Sequence, residues 1–325
     1  PAPRSLVELI PEFEERAKRV AIRGADCVPT LLPTIDRLLE GGLPRGQPTT
    51  LAGPTGRGKT TFALRLSVSW ARQGHPVLYV TLQLSWFDIL ARMVGMVPVD
   101  EQYRTWLETR RWQRPAETQK AARTLLLPPY CIVTHEDVVD VEDLDIQIEK
   151  MLELHGEPPL VIVDYIQLLE DTRRDPQREA ERISQHLERT AQRFDAPILS
   201  ISEATKYLPT KGDVRDIAEK MPKHSGSIAY NSGVVLSLVT QKGQEYMVIG
   251  KGRFGGRDGG SVAIHYNGLT GVHKEVGAGA HGKHAPRSEE EDRQRILTAA
   301  KEGEFTNQHK LCKAAGIGWA RGKKL

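Results

Sequence analysis

Residues 53–60 read GPTGRGKT, which satisfies G-x-x-x-x-G-K-[ST] at every fixed position. A β-branched run, TTLAG, precedes the motif, and a helical stretch, TTFALRLSVSWARQG, follows it. This strand–loop–helix context weighs against an incidental Gly-rich turn. Gly53, Gly56 and Gly58 let the backbone curl until its N–H groups face a phosphate. The helix N-terminus adds positive potential. Lys59 is suited to the β- and γ-phosphates, Thr60 to Mg²⁺, and Thr61 joins them in the nucleotide-binding set. The chemistry is binding of a nucleoside triphosphate, with ATP and Mg²⁺ expected.

A metal at that loop needs a carboxylate on a second strand. PPLVIVDYIQLL (158–169) supplies one: four apolar strand residues ending in Asp164. An acid at the end of a buried strand is costly unless it is paired or near a metal. The plain alternative is a strand-end Asp capping a turn. Hydrolysis also needs a group that orients or deprotonates water. In the commonest arrangement of such sheets it lies on the strand next to the phosphate loop. That reading leads to the end of VLYVTLQ (77–83), at Gln83. An amide can orient water but is a poor proton acceptor.

The elements that must position these groups alternate. TTLAG (49–53), VLYVTL (77–82), CIVTH (131–135), LVIVD (160–164) and ILSIS (198–202) read as strands, with helical stretches between them. The fold class this implies is α/β, a mostly parallel sheet covered by helices on both faces. GVVLSLVT, EYMVIG and SVAIHY follow without helices and read as an antiparallel extension. Ahead of the core, residues 5–23 carry Leu6, Leu9, Ile10, Phe13 and Ala17 at helical spacing. Such a helix joins the core or docks on a neighbour. The expected organisation is an N-terminal linker helix (1–27), a core (28–275), a Gly/His-rich linker (276–291) and a C-terminal segment (292–325). In that last segment NQHKLCKAAGIGWARGKKL reads as part of a helix-turn-helix or winged helix, or as a lid.

The 325 residues are 39% hydrophobic and 27% charged, ordinary for a globular protein. No apolar run reaches the roughly 20 residues of a membrane span, and the start lacks the apolar region of a signal peptide. Cys27, Cys131 and Cys312 have neither metal nor disulfide spacing. They are expected to be reduced thiols, two of them buried, in a cytoplasmic protein. The net charge is +3. From Lys283 onward ten basic and six acidic residues put the positive excess in the tail.

GRGKTTFAL, DYIQLL, SGSIAYNSGVVLSL and IGKGRFGGRDGGSVAIHYNGLTG together resemble the RecA-type motor domain of the DnaB replicative helicase family over residues 28–275. IDRLLEGGLPRGQ is also similar to KaiC and RadA ATPases. The resemblance implies an ATP-driven DNA helicase or translocase, a hexameric ring with ATP between subunits, and a bacterial, plasmid or phage source. It implies that Lys251 and Arg253, matching the family's K-x-R, reach the γ-phosphate held by a neighbouring subunit. It adds Arg92 near the nucleotide. It also implies two channel-facing loops on single-stranded DNA. Arg173 and Arg174 belong to the first. Lys223, His224 and Gly226 belong to the second, where KHSG stands in place of R-E-S-G. A helicase loader or primase is an implied partner, although no primase-contacting N-terminal domain is present in these residues.

Two departures stand out. Gln83 occupies the place of a family glutamate, and Glu203 the place of a common glutamine. Gln83 could be an ATP-trapping change, a natural loss in a regulatory subunit, or one half of an exchange of roles with Glu203. The alternative function is an ATP-binding regulator or recombination mediator, similar to KaiC or RadA, that does not unwind DNA.

Overall fold

The structure is a computed structural model. It describes residues 5–23, 27–96, 123, 125, 129–138, 140–169, 176–204, 218, 221–222, 225–241, 243–253, 259–268 and 271–276. Arg173, Arg174, Lys223, His224, Cys312 and the C-terminal segment lie outside the described residues.

Among the described residues, nine strands form one sheet in the order β11-β10-β9-β8-β3-β7-β6-β4-β5. Its centre is β3 (Pro48–Gly53), β4 (Val77–Thr81), β5 (Tyr130–Thr134), β6 (Leu160–Asp164) and β7 (Ile198–Glu203). These five run parallel. β8 (Val234–Gln241) is also parallel to β3. The antiparallel extension therefore begins one strand later than expected, at β9 (Gln244–Gly252), and continues through β10 (Ser261–Asn267) and β11 (Val272–Glu275). A separate two-stranded ribbon, β1 (Cys27–Val28) with β2 (Leu43–Pro44), precedes the sheet.

Both faces of the central strands are buried, which is why they read as continuous apolar runs rather than alternating ones. On β6, Leu160 and Ile162 join one core cluster while Val161 and Val163 join the other. On β4, Val77 and Tyr79 face the first cluster, and Leu78 and Val80 the second. The first is covered by α2 (Pro33–Leu38), α3 (Lys59–Arg72) and α4 (Trp86–Gly95). The second is covered by α5 (Val141–His155) and α6 (Pro176–Phe194), with Ile228 of α7 (Ser225–Asn231).

Local chemistry sets the helix ends. Asp140 and Asp143 form a reciprocal capping box at the start of α5, and Gly156 ends it at φ 71°. Val141, Leu144, Ile148 and Met151 bury one stripe of α5; Ile183, Leu187 and Ala191 do so on α6. The far edge of the sheet is fastened to the start of the core. Glu275 accepts from the Thr34 N–H at 2.7 Å and the Thr34 hydroxyl at 2.8 Å.

α1 (Leu6–Arg23) has the expected amphipathic pattern, but its apolar side chains are not covered. Leu6, Ile10 and Phe13 are 75%, 51% and 72% exposed. The thiols also differ from expectation: Cys27 and Cys131 are only half-buried. Among the described residues, no helix is long and apolar enough to cross a membrane.

Candidate nucleotide site

The phosphate loop leaves β3 at Gly53 and enters α3 at Lys59. Gly56 and Gly58 take φ of 77° and 80°, where a side chain is strained. Gly58 has a second reason to be glycine. A Cβ there would stand 2.5 Å from Cε2 of Tyr266 and 2.9 Å from Cε1 of His273. Tyr266 stacks on His273 with ring centroids 4.6 Å apart, and Phe62 meets His273 edge-on at 5.4 Å. These aromatic groups come from β10, β11 and α3 and back the loop against the sheet extension. Thr61 lies under the β10–β11 turn, against Gly271.

Lys59 is buried, and its Nζ donates to the loop's own carbonyls, Gly53 at 2.7 Å and Pro54 at 3.1 Å. Burial pulls the ammonium's pKa below the usual lysine range, while the Asp164 and Glu203 carboxylates oppose that shift. The ammonium also lies 5.7 Å over the Tyr165 ring.

Asp164 ends β6 and is 2% exposed. Tyr79 donates its hydroxyl to Oδ2 at 3.0 Å. Burial raises the carboxyl above its ordinary range, and hydrogen bonds from Tyr79 and Thr60 and the charges of Arg92 and Lys59 act against that. The other oxygen, Oδ1, is buried without a hydrogen-bond partner. A buried carboxylate oxygen left open beside the Thr60 hydroxyl is the donor set of a hard divalent cation. These residues fit Mg²⁺.

Gln83 lies two residues past the end of β4 and is exposed. β4 is not the strand next to the phosphate loop, contrary to the expectation from sequence. The neighbours of β3 are β7 and β8, and two strands, β7 and β6, separate β3 from β4. Gln83 is nevertheless near the acid. Thr81 pairs with Asp164, and the Leu82 N–H donates to the Asp164 carbonyl at 2.9 Å. The turn is held by the Thr81 hydroxyl, which donates to the Leu84 carbonyl at 2.7 Å. Ser85 then caps α4, which carries Arg92 on its exposed side. Glu203 is the group on the adjacent strand: it ends β7 in register with Gly53.

Lys251 and Arg253 are not brought to this cluster. They lie at the end of β9 beside the start of β8, at the opposite end of the strands from the phosphate loop. Arg253 pairs with Glu188 at 3.0 Å, and Lys251 donates to the Tyr230 carbonyl at 2.8 Å. Gly226 lies in α7.

Sequence reasoning missed Tyr79, Tyr165, Tyr266 and His273. Tyr79 carried a signal, since a tyrosine in a buried strand needs a partner for its hydroxyl. Tyr266 and His273 carried none: the topology alone brings β10 and β11 behind the loop.

Residues 27–270 match the family described as DnaB-like helicase C terminal domain. The chain belongs to that family. Among its DnaB-type relatives, a probable replicative DNA helicase of Guillardia theta is 24% identical over 231 residues, covering 69% of this chain and 37% of the relative. The replicative DNA helicase DnaB of Haemophilus influenzae is 26% identical over 264 residues, covering 75% of this chain and 54% of the relative. The DnaB-like chain thus spans about half or less of the length of these relatives. In fold it is similar to a solved DnaB-like replicative helicase, with a TM-score of 0.64 at 18% identity, covering 85% of this chain and 68% of that one. The mostly parallel sheet with its antiparallel extension is the RecA-like core expected of a DnaB-type domain.

Proposed function

We propose that this chain is the ATP-driven motor of a DnaB-type helicase, moving single-stranded DNA through the channel of a homo-oligomeric, hexameric ring. The observation that carries this reading is the separation of the two halves of the site. The Arg253 N–H donates to the Gly233 carbonyl, and the Gly233 N–H to the Pro48 carbonyl. Arg253 is therefore level with the start of β3. Gly53 is five residues further along, roughly 16 Å at about 3.3 Å per residue. The loop continues beyond that, out of reach of an arginine or lysine side chain held at Glu188 and Tyr230.

That separation supports a role for Lys251 and Arg253 at a nucleotide held by another copy. Two copies in head-to-tail contact make that arrangement, and repetition closes a ring when the rotation from copy to copy sums to a full turn. The exposed apolar face of α1 suits packing on the adjacent copy. Positive charge brought to the transferred phosphoryl stabilises the transition state.

Within one copy, Lys59 and the loop amides bind the phosphates. Mg²⁺, when bound by Thr60 and Asp164, neutralises charge on the phosphate oxygens. Arg92 adds positive potential from α4. Gln83 orients water beside Asp164 without taking its proton, so hydrolysis by this chain is slow. Arg173, Arg174, Lys223, His224 and the Gly226 backbone bind the DNA backbone, with sequence-independent and salt-sensitive affinity. A loader or primase is a further proposed partner of the ring.

The test is ATP hydrolysis with and without single-stranded DNA, together with unwinding of a forked duplex, for this chain beside Gln83→Glu. Fast, DNA-stimulated hydrolysis and unwinding by the variant support the motor. A variant that binds ATP but neither responds to DNA nor opens the fork overturns it.

A further inference from the structure

Tyr230 is 71% exposed at the end of α7. A tyrosine so exposed contributes little to the core. Its surroundings are nevertheless organised. The last carbonyls of a helix have no intrahelical partner and carry the negative end of the dipole. Here the Ala229 and Tyr230 carbonyls accept from the Lys251 ammonium, and the Tyr230 carbonyl also accepts from the Arg253 guanidinium. Both cations lie over the same ring, Lys251 at 5.8 Å and Arg253 at 5.7 Å from its centroid. These distances are within the range of cation–π attraction. Glu188 of α6 accepts a hydrogen bond from the Arg253 guanidinium at 3.0 Å.

The seat itself is anchored. Asn231 donates its side-chain amide to the Ser184 hydroxyl at 2.8 Å, which ties α7 to α6. Ile228, in the same helix, is 1% exposed in the core. Two like charges converge on one carbonyl, and their mutual repulsion would scatter them without a countercharge. The ring face, the helix end and Glu188 supply it.

We propose that Tyr230 is a positioning residue for Lys251 and Arg253, seating both cations at the surface from which they act on the neighbouring copy's nucleotide. The proposal rests on the reading in which those cations serve a neighbour. Backbone carbonyls survive any side-chain change, so the ring is the part that can be tested.

The experiment measures binding of ATPγS and of ADP to the whole oligomeric protein, and takes the ratio of the two affinities. A trans contact to the γ-phosphate appears as preference for the triphosphate, and no hydrolysis is needed to see it. Lys251→Ala and Arg253→Ala are each expected to lower the preference by about tenfold or more, leaving the part that Lys59 supplies within one copy. Tyr230→Ala is expected to lower it roughly fivefold, the scale of losing weak cation–π contacts to two exposed cations. Tyr230→Phe keeps the ring and should stay within about twofold of the unmodified chain. ADP affinity and oligomeric state should not change in either Tyr230 variant.

Full preference in Tyr230→Ala, alongside its loss in Lys251→Ala, overturns the seat and leaves the trans reading standing. Full preference in the Lys251 and Arg253 variants overturns both. Equal losses in Tyr230→Ala and Tyr230→Phe, or an equal fall in ADP affinity, would assign Tyr230 a structural role instead.

Discussion

Glu203 lies directly opposite Gly53 in the parallel pairing of β7 with β3, whereas Gln83 follows a strand separated from β3 by β7 and β6. The two residues thus stand on either side of Asp164, one on the loop side and one on the far side. Their roles can be separated by exchanging acid and amide at each. Gln83→Glu is expected to raise ATP hydrolysis by about 10²-fold, the lower range for a positioned general base. Glu203→Gln in that background should then change the rate by no more than about threefold. If Gln83→Glu has no effect and Glu203→Gln stops the residual turnover, the proton acceptor is Glu203.

The proposed division of the site between copies has its own signature. In the Gln83→Glu background, Lys59→Ala and Lys251→Ala are each expected to abolish hydrolysis. Mixing the two proteins should restore part of it. In an equal, random mixture about a quarter of head-to-tail contacts join an intact loop to an intact Lys251. Recovery to roughly that fraction of the parent rate checks the arrangement. A mixture as inactive as its components would rule it out.

Glycines in the loop differ in what they tolerate. Gly56→Ala meets nothing within 4 Å, so only its positive φ opposes the change, costing about 1–2 kcal/mol. Gly58→Ala faces the same φ penalty and a collision with Tyr266 and His273. It should lower Tm by several degrees more than Gly56→Ala in thermal melts of the nucleotide-free protein. The loss should shrink when Tyr266 is also replaced by a small residue. Equal melting temperatures for the two single variants would show that the aromatic backing does not press on the loop.

His273 gives the loop region a pH dependence of known sign. Burial pushes its imidazole down to about 4, against the Arg57 carbonyl bond and the nearby Glu245 carboxylate, both of which raise it. In the unfolded chain it titrates near 6.5. Between those values the unfolded state binds a proton that the folded state refuses. Its contribution is fully present above pH 6.5 and is lost as pH falls towards 4. The slope is at most about 1.4 kcal/mol per pH unit. His273→Phe, which keeps the contacts with Tyr266 and Phe62, should flatten the melting temperature over that window relative to the parent. Parallel curves would mean that His273 titrates alike in the folded and unfolded chain.

The phosphate loop, the acid that ends β6 and the alternation of strands and helices are all legible in the sequence, because each depends on neighbours within a few residues. Glycine spacing sets the backbone of 53–60, and four apolar residues bury the strand that delivers Asp164. Strand order is not legible in the same way. Nothing local to VLYVT says that β6 and β7 must come between it and β3, and so sequence alone puts Gln83 beside the wrong neighbour. Pairing is a contest among edges far apart in the chain, settled by which faces α3 to α6 can cover. The same holds for Tyr266 and His273, some 200 residues from the glycine they back. It holds for Lys251 and Arg253, whose sequence says basic and whose fold sends them to the opposite end of the strands from the loop. Chemistry that travels with a motif was determined by the sequence alone. Which groups face one another across the sheet, and which are held apart at opposite ends of its strands, only the tertiary structure decided, because hydrogen-bond register and burial act between segments that local sequence does not connect.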